Sequence, residues 1–209
     1  TSAMHLEGAR KEIARMLDMA KINVDRSFHA FIHADTAAID DVEERENYID
    51  YLNKEISRAI SKMMIHETNE KSSKNIGSYF EMTGNIERIG DHAVNICDYT
   101  NLLRERQITF SKEAVQEMQE MREICRQMFD RLRQAPENPE EWLQKIHDSE
   151  NFIDKKTDEF YENHLERIRK GLCNDEACVV FSELLTEFAR IGDHFGNIAK
   201  EMGKVIERS

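Results

Sequence analysis

The sequence predicts an all-α protein built as two tandem antiparallel three-helix bundles related by pseudo-two-fold symmetry. Three observations carry this. The chain has 209 residues but only two prolines and eight glycines, too few turn-formers for an all-β architecture. Leu, Ile, Met and Ala recur at three- and four-residue steps among interspersed charges, the pattern of amphipathic helices. The third is a duplication. Arg88-Ile89-Gly90-Asp91-His92 returns as Arg190-Ile191-Gly192-Asp193-His194, and both copies run on to an Asn-Ile pair, Asn95-Ile96 and Asn197-Ile198. Upstream, Glu46-Asn47-Tyr48-Ile49-Asp50 returns as Glu150-Asn151-Phe152-Ile153-Asp154. Two motifs recurring in the same order at nearly the same spacing predict one unit used twice, residues 1–108 and 109–209.

Each unit holds three predicted helices. The first covers 6–34, with Ile13, Met16, Leu17, Ala20, Val24 and Phe28 as its stripe. The second covers 37–65, with Ile49, Leu52, Ile56, Ile60 and Met63 on one face. The third covers 69–106, with Tyr79, Met82, Ile86, Ile89, Ala93 and Ile96. Their counterparts lie at 111–134, 139–169 and 174–208. Ser111 is placed to cap a helix, Pro136 and Pro139 to stop one and start the next, and Gly171 to end another. Short connections make sequential helices antiparallel neighbours.

The formal charge of -12 argues against a nucleic-acid partner, which calls for clustered Lys and Arg. Cys97, Cys125, Cys173 and Cys178 lack zinc-finger or disulfide-framework spacing and read as small hydrophobes in a reducing compartment. No apolar run approaches the roughly 20 residues of a membrane span, and the start does not resemble a signal peptide.

Chemistry concentrates on the second and third helices of each unit. Glu46 lies on the apolar seam Glu46, Ile49, Asn53, Ile56, Ile60, Met63, with Asp50 one turn on. Glu87 lies on the seam Ile76, Phe80, Thr83, Glu87, Gly90, Val94, Cys97, with Asp91 one turn on. Four carboxylates meeting between helices repel one another and resist desolvation, so they require cations, shared protons or water. Metal ions answer that requirement, and an all-oxygen set suits Mg, Ca, Mn or Fe. His92 and Asn95 are expected to add a ligand or an outer hydrogen bond, and Gly90 to allow close approach. His29, His33, His66, His147 and His164 show no partner pattern.

Glu87-Arg88-Ile89-Gly90-Asp91-His92-Ala93-Val94-Asn95-Ile96 resembles the PhoU family, whose repeat pairs an E-R-I-G-D segment with an E/D-x-x-x-D segment. The resemblance implies multinuclear iron or zinc clusters held by such pairs. It assigns Glu46, Asp50, Glu87 and Asp91 to a first site, and Glu150, Asp154 and Asp193 to a second. The second departs from the pattern: Ala189 replaces the first acid, and Glu187, six residues before Asp193, points elsewhere on an ideal helix. A cytoplasmic, non-enzymatic regulator of phosphate transport is implied. Its expected partners are the membrane portion of a transporter or phosphate-sensing proteins, with homodimerisation left open. His5-Leu6-Glu7-Gly8-Ala9-Arg10-Lys11-Glu12-Ile13-Ala14-Arg15-Met16 resembles the junction where such a domain follows a bacterial sodium/phosphate cotransporter. Together with the missing initiator Met, it leads us to expect an excised tail rather than a free-standing regulator. A di-metal carboxylate enzyme is the competing class. Such bundles use Glu-x-x-His, and no Glu here precedes a His by three residues.

Overall fold

The computed structural model describes residues 2–134 and 136–209. Among these, the elements are α1 (Ser2–His33), α2 (Ile39–His66), α3 (Glu70–Arg106), α4 (Lys112–Arg133), α5 (Pro139–Arg169) and α6 (Asp175–Glu207). The helix ends follow local chemistry. Asn69, Ser111, Asn138 and Asn174 each accept a backbone N–H from the residue three positions on, satisfying a donor that the first turn otherwise leaves unpaired. Pro139 occupies the first turn of α5, where its missing N–H costs nothing. Past the end of α5, Gly171 adopts φ +68°. Its N–H donates to Ile168 O, and that of Leu172 donates to Arg167 O. This doubly bonded left-handed turn is one that glycine enters without steric cost.

Helices α1, α2 and α3 pack on one another, as do α4, α5 and α6, while α3 against α6 and α1 against α4 join the two sets. A main hydrophobic core runs through both repeats, beside a small cluster of Ile39, Val42 and Cys97. It takes Ile13, Met16, Leu17, Ala20, Val24 and Phe28 from α1 and Ile86, Ile89, Ala93 and Ile96 from α3, and it continues into Met121, Met128, Phe129, Leu184, Phe188 and Phe195. Phe129 and Phe195 meet edge to face with centroids 4.7 Å apart, a favoured aromatic arrangement. The expected seams hold with one exception: Phe80 is 48% exposed, because the buried side of α3 passes through Tyr79, Met82 and Thr83 instead. The boundary expected at 108/109 lies in the connection between α3 and α4.

At the α1–α4 seam, Arg122 Nε and Nη2 donate to the two Asp25 carboxylate oxygens at 2.8 and 2.9 Å, and Arg126 adds a third bond at 2.8 Å. Those guanidinium bonds, Arg122's foremost, hold the Asp25 carboxyl down at about 2.

Candidate metal centre

The two E-x-x-x-D segments of the first repeat face each other across α2 and α3. One carboxylate oxygen from each of Glu46, Asp50 and Asp91 lies within 4.8 Å of the others. Glu46 is 7% exposed. Both of its oxygens, and Asp50 Oδ1, are buried without a hydrogen-bond partner among the described residues. Burial first, and then the nearby charges of Asp50 and Asp91, push the Glu46 carboxyl up to about 9. Glu87 stands at the edge of the cluster. Its carboxyl is raised as well, by burial first and then by Asp91 and Asp50.

Gly90 makes this geometry available. A Cβ built on Gly90 would overlap the Glu46 carboxylate. What approaches the glycine closely is therefore the acid of the neighbouring helix. Unpaired, desolvated oxygens of like charge are costly as anions. Held as they are within bridging distance, they fit a hard or borderline divalent cation, which supplies the missing positive charge.

The second repeat is built more loosely. Burial raises the carboxyls of Glu150 and Asp193, and the Asp154 charge adds to each, while His147 opposes the shift at Glu150. Glu150, Asp154 and Asp193 border an open cleft together with His147, Gly192, Gly196 and Lys200. Gly192, the counterpart of Gly90, faces the Ile153 side chain instead of a carboxylate. Ala189 contributes no oxygen, so the cleft holds three acids.

The roles expected for His92 and Asn95 change. Both turn away from the carboxylates toward α6, because α3 presents its 92/95 side to the other repeat. His92 Nδ1 donates to Glu187 Oε2 at 2.6 Å, and Asn95 Nδ2 reaches the two Glu187 oxygens at 3.3 and 3.4 Å. The same network recurs about the pseudo-two-fold axis: His194 Nδ1 donates to Asn85 Oδ1 at 3.0 Å, and Asn197 Nδ2 does so at 3.1 Å. Asn85 and Glu187 stand 102 positions apart, the offset of the Arg-Ile-Gly-Asp-His repeat. That relation was visible in the sequence, but only packing shows that it matters. Burial first, and then the His92 and Arg88 charges, lower His194 to about 4. His164, which shows no partner pattern in the sequence, is buried, with Nε2 2.8 Å from Ser182 Oγ and Nδ1 without a hydrogen-bond partner among the described residues.

A duplicated all-helical protein with carboxylate pairs set between neighbouring helices is thus defined by both fold and site. The chain belongs to the PhoU domain family, whose model matches residues 13–100 and 118–202. It is 23% identical over 195 residues to the phosphate-specific transport system accessory protein PhoU homolog 1 of Thermotoga maritima, covering 92% of this chain and 83% of that protein. Its fold is that of PhoU from Pseudomonas aeruginosa, with TM-score 0.89, 18% identity and full coverage of both chains. The phosphate transport system regulatory protein PhoU from Streptococcus pneumoniae is also similar, with TM-score 0.80, 14% identity, and 97% and 95% of the two chains covered. No helix among the described residues is long and apolar enough to cross a membrane.

Proposed function

We propose that the chain is a regulator of phosphate transport that works by binding rather than by catalysis, with a divalent metal tying α2 to α3. One observation carries the metal part: three buried carboxylate oxygens of Glu46 and Asp50 have no hydrogen-bond partner among the described residues, and one oxygen from each of these acids lies within 4.8 Å of one from Asp91. Glu46, Asp50, Glu87 and Asp91 hold the ion, and Glu150, Asp154 and Asp193 form a weaker second site. Iron and zinc follow from the family resemblance, whereas the oxygen donor set also admits Mg, Mn or Ca. Family membership and a relative named as a phosphate-transport accessory protein support the regulatory reading.

On this reading the chain acts at the cytoplasmic face, either fused behind a sodium/phosphate cotransporter or as a free-standing partner of transport and sensor proteins. By stiffening two helices, the metal fixes the surface that the partner meets. Phosphate uptake measured across phosphate levels, in cells with and without residues 6–208, tests the reading. Lost regulation is expected. Rescue by the chain supplied separately marks the free-standing form, and rescue only when fused marks the tethered one. Unchanged uptake and regulation would overturn the proposal, as would turnover of a phosphate ester by the isolated chain.

A further inference from the structure

The two Arg-Ile-Gly-Asp-His segments meet where α3 crosses α6, around a cavity of about 350 Å³ lined by Arg88, Asp91, His92, Arg190, Asp193 and His194. Across it, His92 Nε2 and His194 Nε2 are 3.2 Å apart. Ring centroids 5.2 Å apart with 23° between the planes bring two ring edges together rather than two faces.

The hydrogen-bond network determines what those edges are. His92 Nδ1 faces the Glu187 carboxylate at 2.6 Å, which only accepts, so Nδ1 carries hydrogen. Asn85 Nδ2 donates to Glu81 O at 2.8 Å, which fixes its amide orientation. Its Oδ1 therefore faces His194 Nδ1, and that nitrogen also carries hydrogen. In neutral rings both Nε2 atoms are then bare lone pairs directed at one another. Either a proton or a metal ion must therefore stand between them.

We infer that His92 Nε2 and His194 Nε2 form a nitrogen-ligated transition-metal site on the pseudo-two-fold axis, of the zinc class and distinct from the carboxylate sites. Two nitrogens bonded to one tetrahedral zinc at about 2.05 Å stand about 3.3 Å apart, close to the spacing already present. The outer partners are those such a ligand needs: a carboxylate on one Nδ1–H and an amide oxygen on the other, fixing tautomer and ring orientation. Imidazole also selects zinc-class ions over Mg or Ca. The remaining coordination positions open into the cavity, where water completes the shell. The bound ion joins α3 of one repeat to α6 of the other, which the carboxylate clusters, each within one repeat, do not do.

Zinc titration of the full chain in excess Mg, followed by side-chain ¹⁵N NMR of the histidines, tests this. One equivalent is expected to move two Nε2 resonances into the metal-bound range while both Nδ1 stay protonated. His92→Gln and His194→Gln should each abolish that equivalent, and Glu187→Gln should weaken it roughly tenfold. The His29 and His33 rings on α1, with centroids 4.5 Å apart, are another close histidine pair among the described residues. Zinc binding at the axis should survive His29→Gln with His33→Gln. It should also survive Glu46→Gln with Asp50→Asn, which separates this site from the proposed carboxylate centre. Zinc that leaves both axial Nε2 resonances in place in the wild-type chain would overturn the inference without any variant having to fold. An Nε2 signal reporting a proton shared between the two rings in saturating zinc would do the same.

Discussion

The two repeats carry the same motifs, yet their carboxylates sit in different surroundings. In the first, Gly90 leaves room for Glu46 to be buried against α3, and its oxygens lie unpartnered beside Asp50 and Asp91. In the second, Gly192 faces Ile153, Asp154 and Asp193 are exposed, and Ala189 stands where Glu87 has its counterpart. Duplication preserves the backbone plan, while single side chains decide how much unpaired charge each copy buries. The copy with more buried and unpaired oxygen is the one with more to gain from a cation.

Removing acids should break this contrast most strongly. Glu46→Gln with Asp50→Asn is expected to weaken metal binding at the first site by roughly 100-fold. Glu150→Gln with Asp154→Asn should remove a weaker equivalent, costing about tenfold. Equal losses by calorimetry would erase the distinction between the repeats.

The pH dependence of the metal-free chain sharpens the comparison next. Glu46 titrates in the fold at about 9 and at about 4.3 when unfolded. Between those values the native chain holds a proton that the unfolded chain has lost, so stability falls as pH rises across that window. The slope approaches about 1.4 kcal/mol per pH unit for one such group. Chemical denaturation at pH 6 and pH 8 should show this loss, Glu46→Gln should abolish most of it, and metal should offset it. A wild-type chain more stable at pH 8 than at pH 6 without metal would contradict the assignment.

A substitution remote from both carboxylate sites serves as the control. Asp25→Asn at the α1–α4 seam should cost about 1–2 kcal/mol at pH 7, given the partial exposure of the pair, and should leave metal stoichiometry unchanged. Because Asp25 is held at about 2, its contribution is present above its ordinary range near 3.9 and is lost as pH falls toward 2. Thermal melts at pH 7 and pH 3 measure both effects.

The smallest expected change is a gain. Ala189→Glu restores the fourth acid and should tighten metal at the second site by about threefold, given the openness of that cleft. No change would mean that burial against the glycine, rather than the number of acids, separates the repeats.

Much of this architecture was legible in one dimension. The helical stripes, the cap at Ser111, the start at Pro139, the stop at Gly171 and the duplication depend on neighbours within a turn or on direct repetition, which sequence records. The E-x-x-x-D pairs were readable for the same reason, since a four-residue step puts both acids on one side of a helix. The directions of His92, Asn95 and Glu187 were not. Each lies close to an acid of interest along its own helix, but its partner belongs to the other repeat, more than 90 positions away. Phe80 failed similarly: its spacing suited the seam, but α3 packs on α1, α2 and α6 together, and that shared burial selects another side. Residue order alone sets which side chains can share a helix face and that the unit occurs twice. Only tertiary packing decided which faces meet, that Glu46 is buried against Gly90, and that two histidine edges converge on the axis, because contacts between distant helices depend on how whole surfaces fit and leave no local periodic trace.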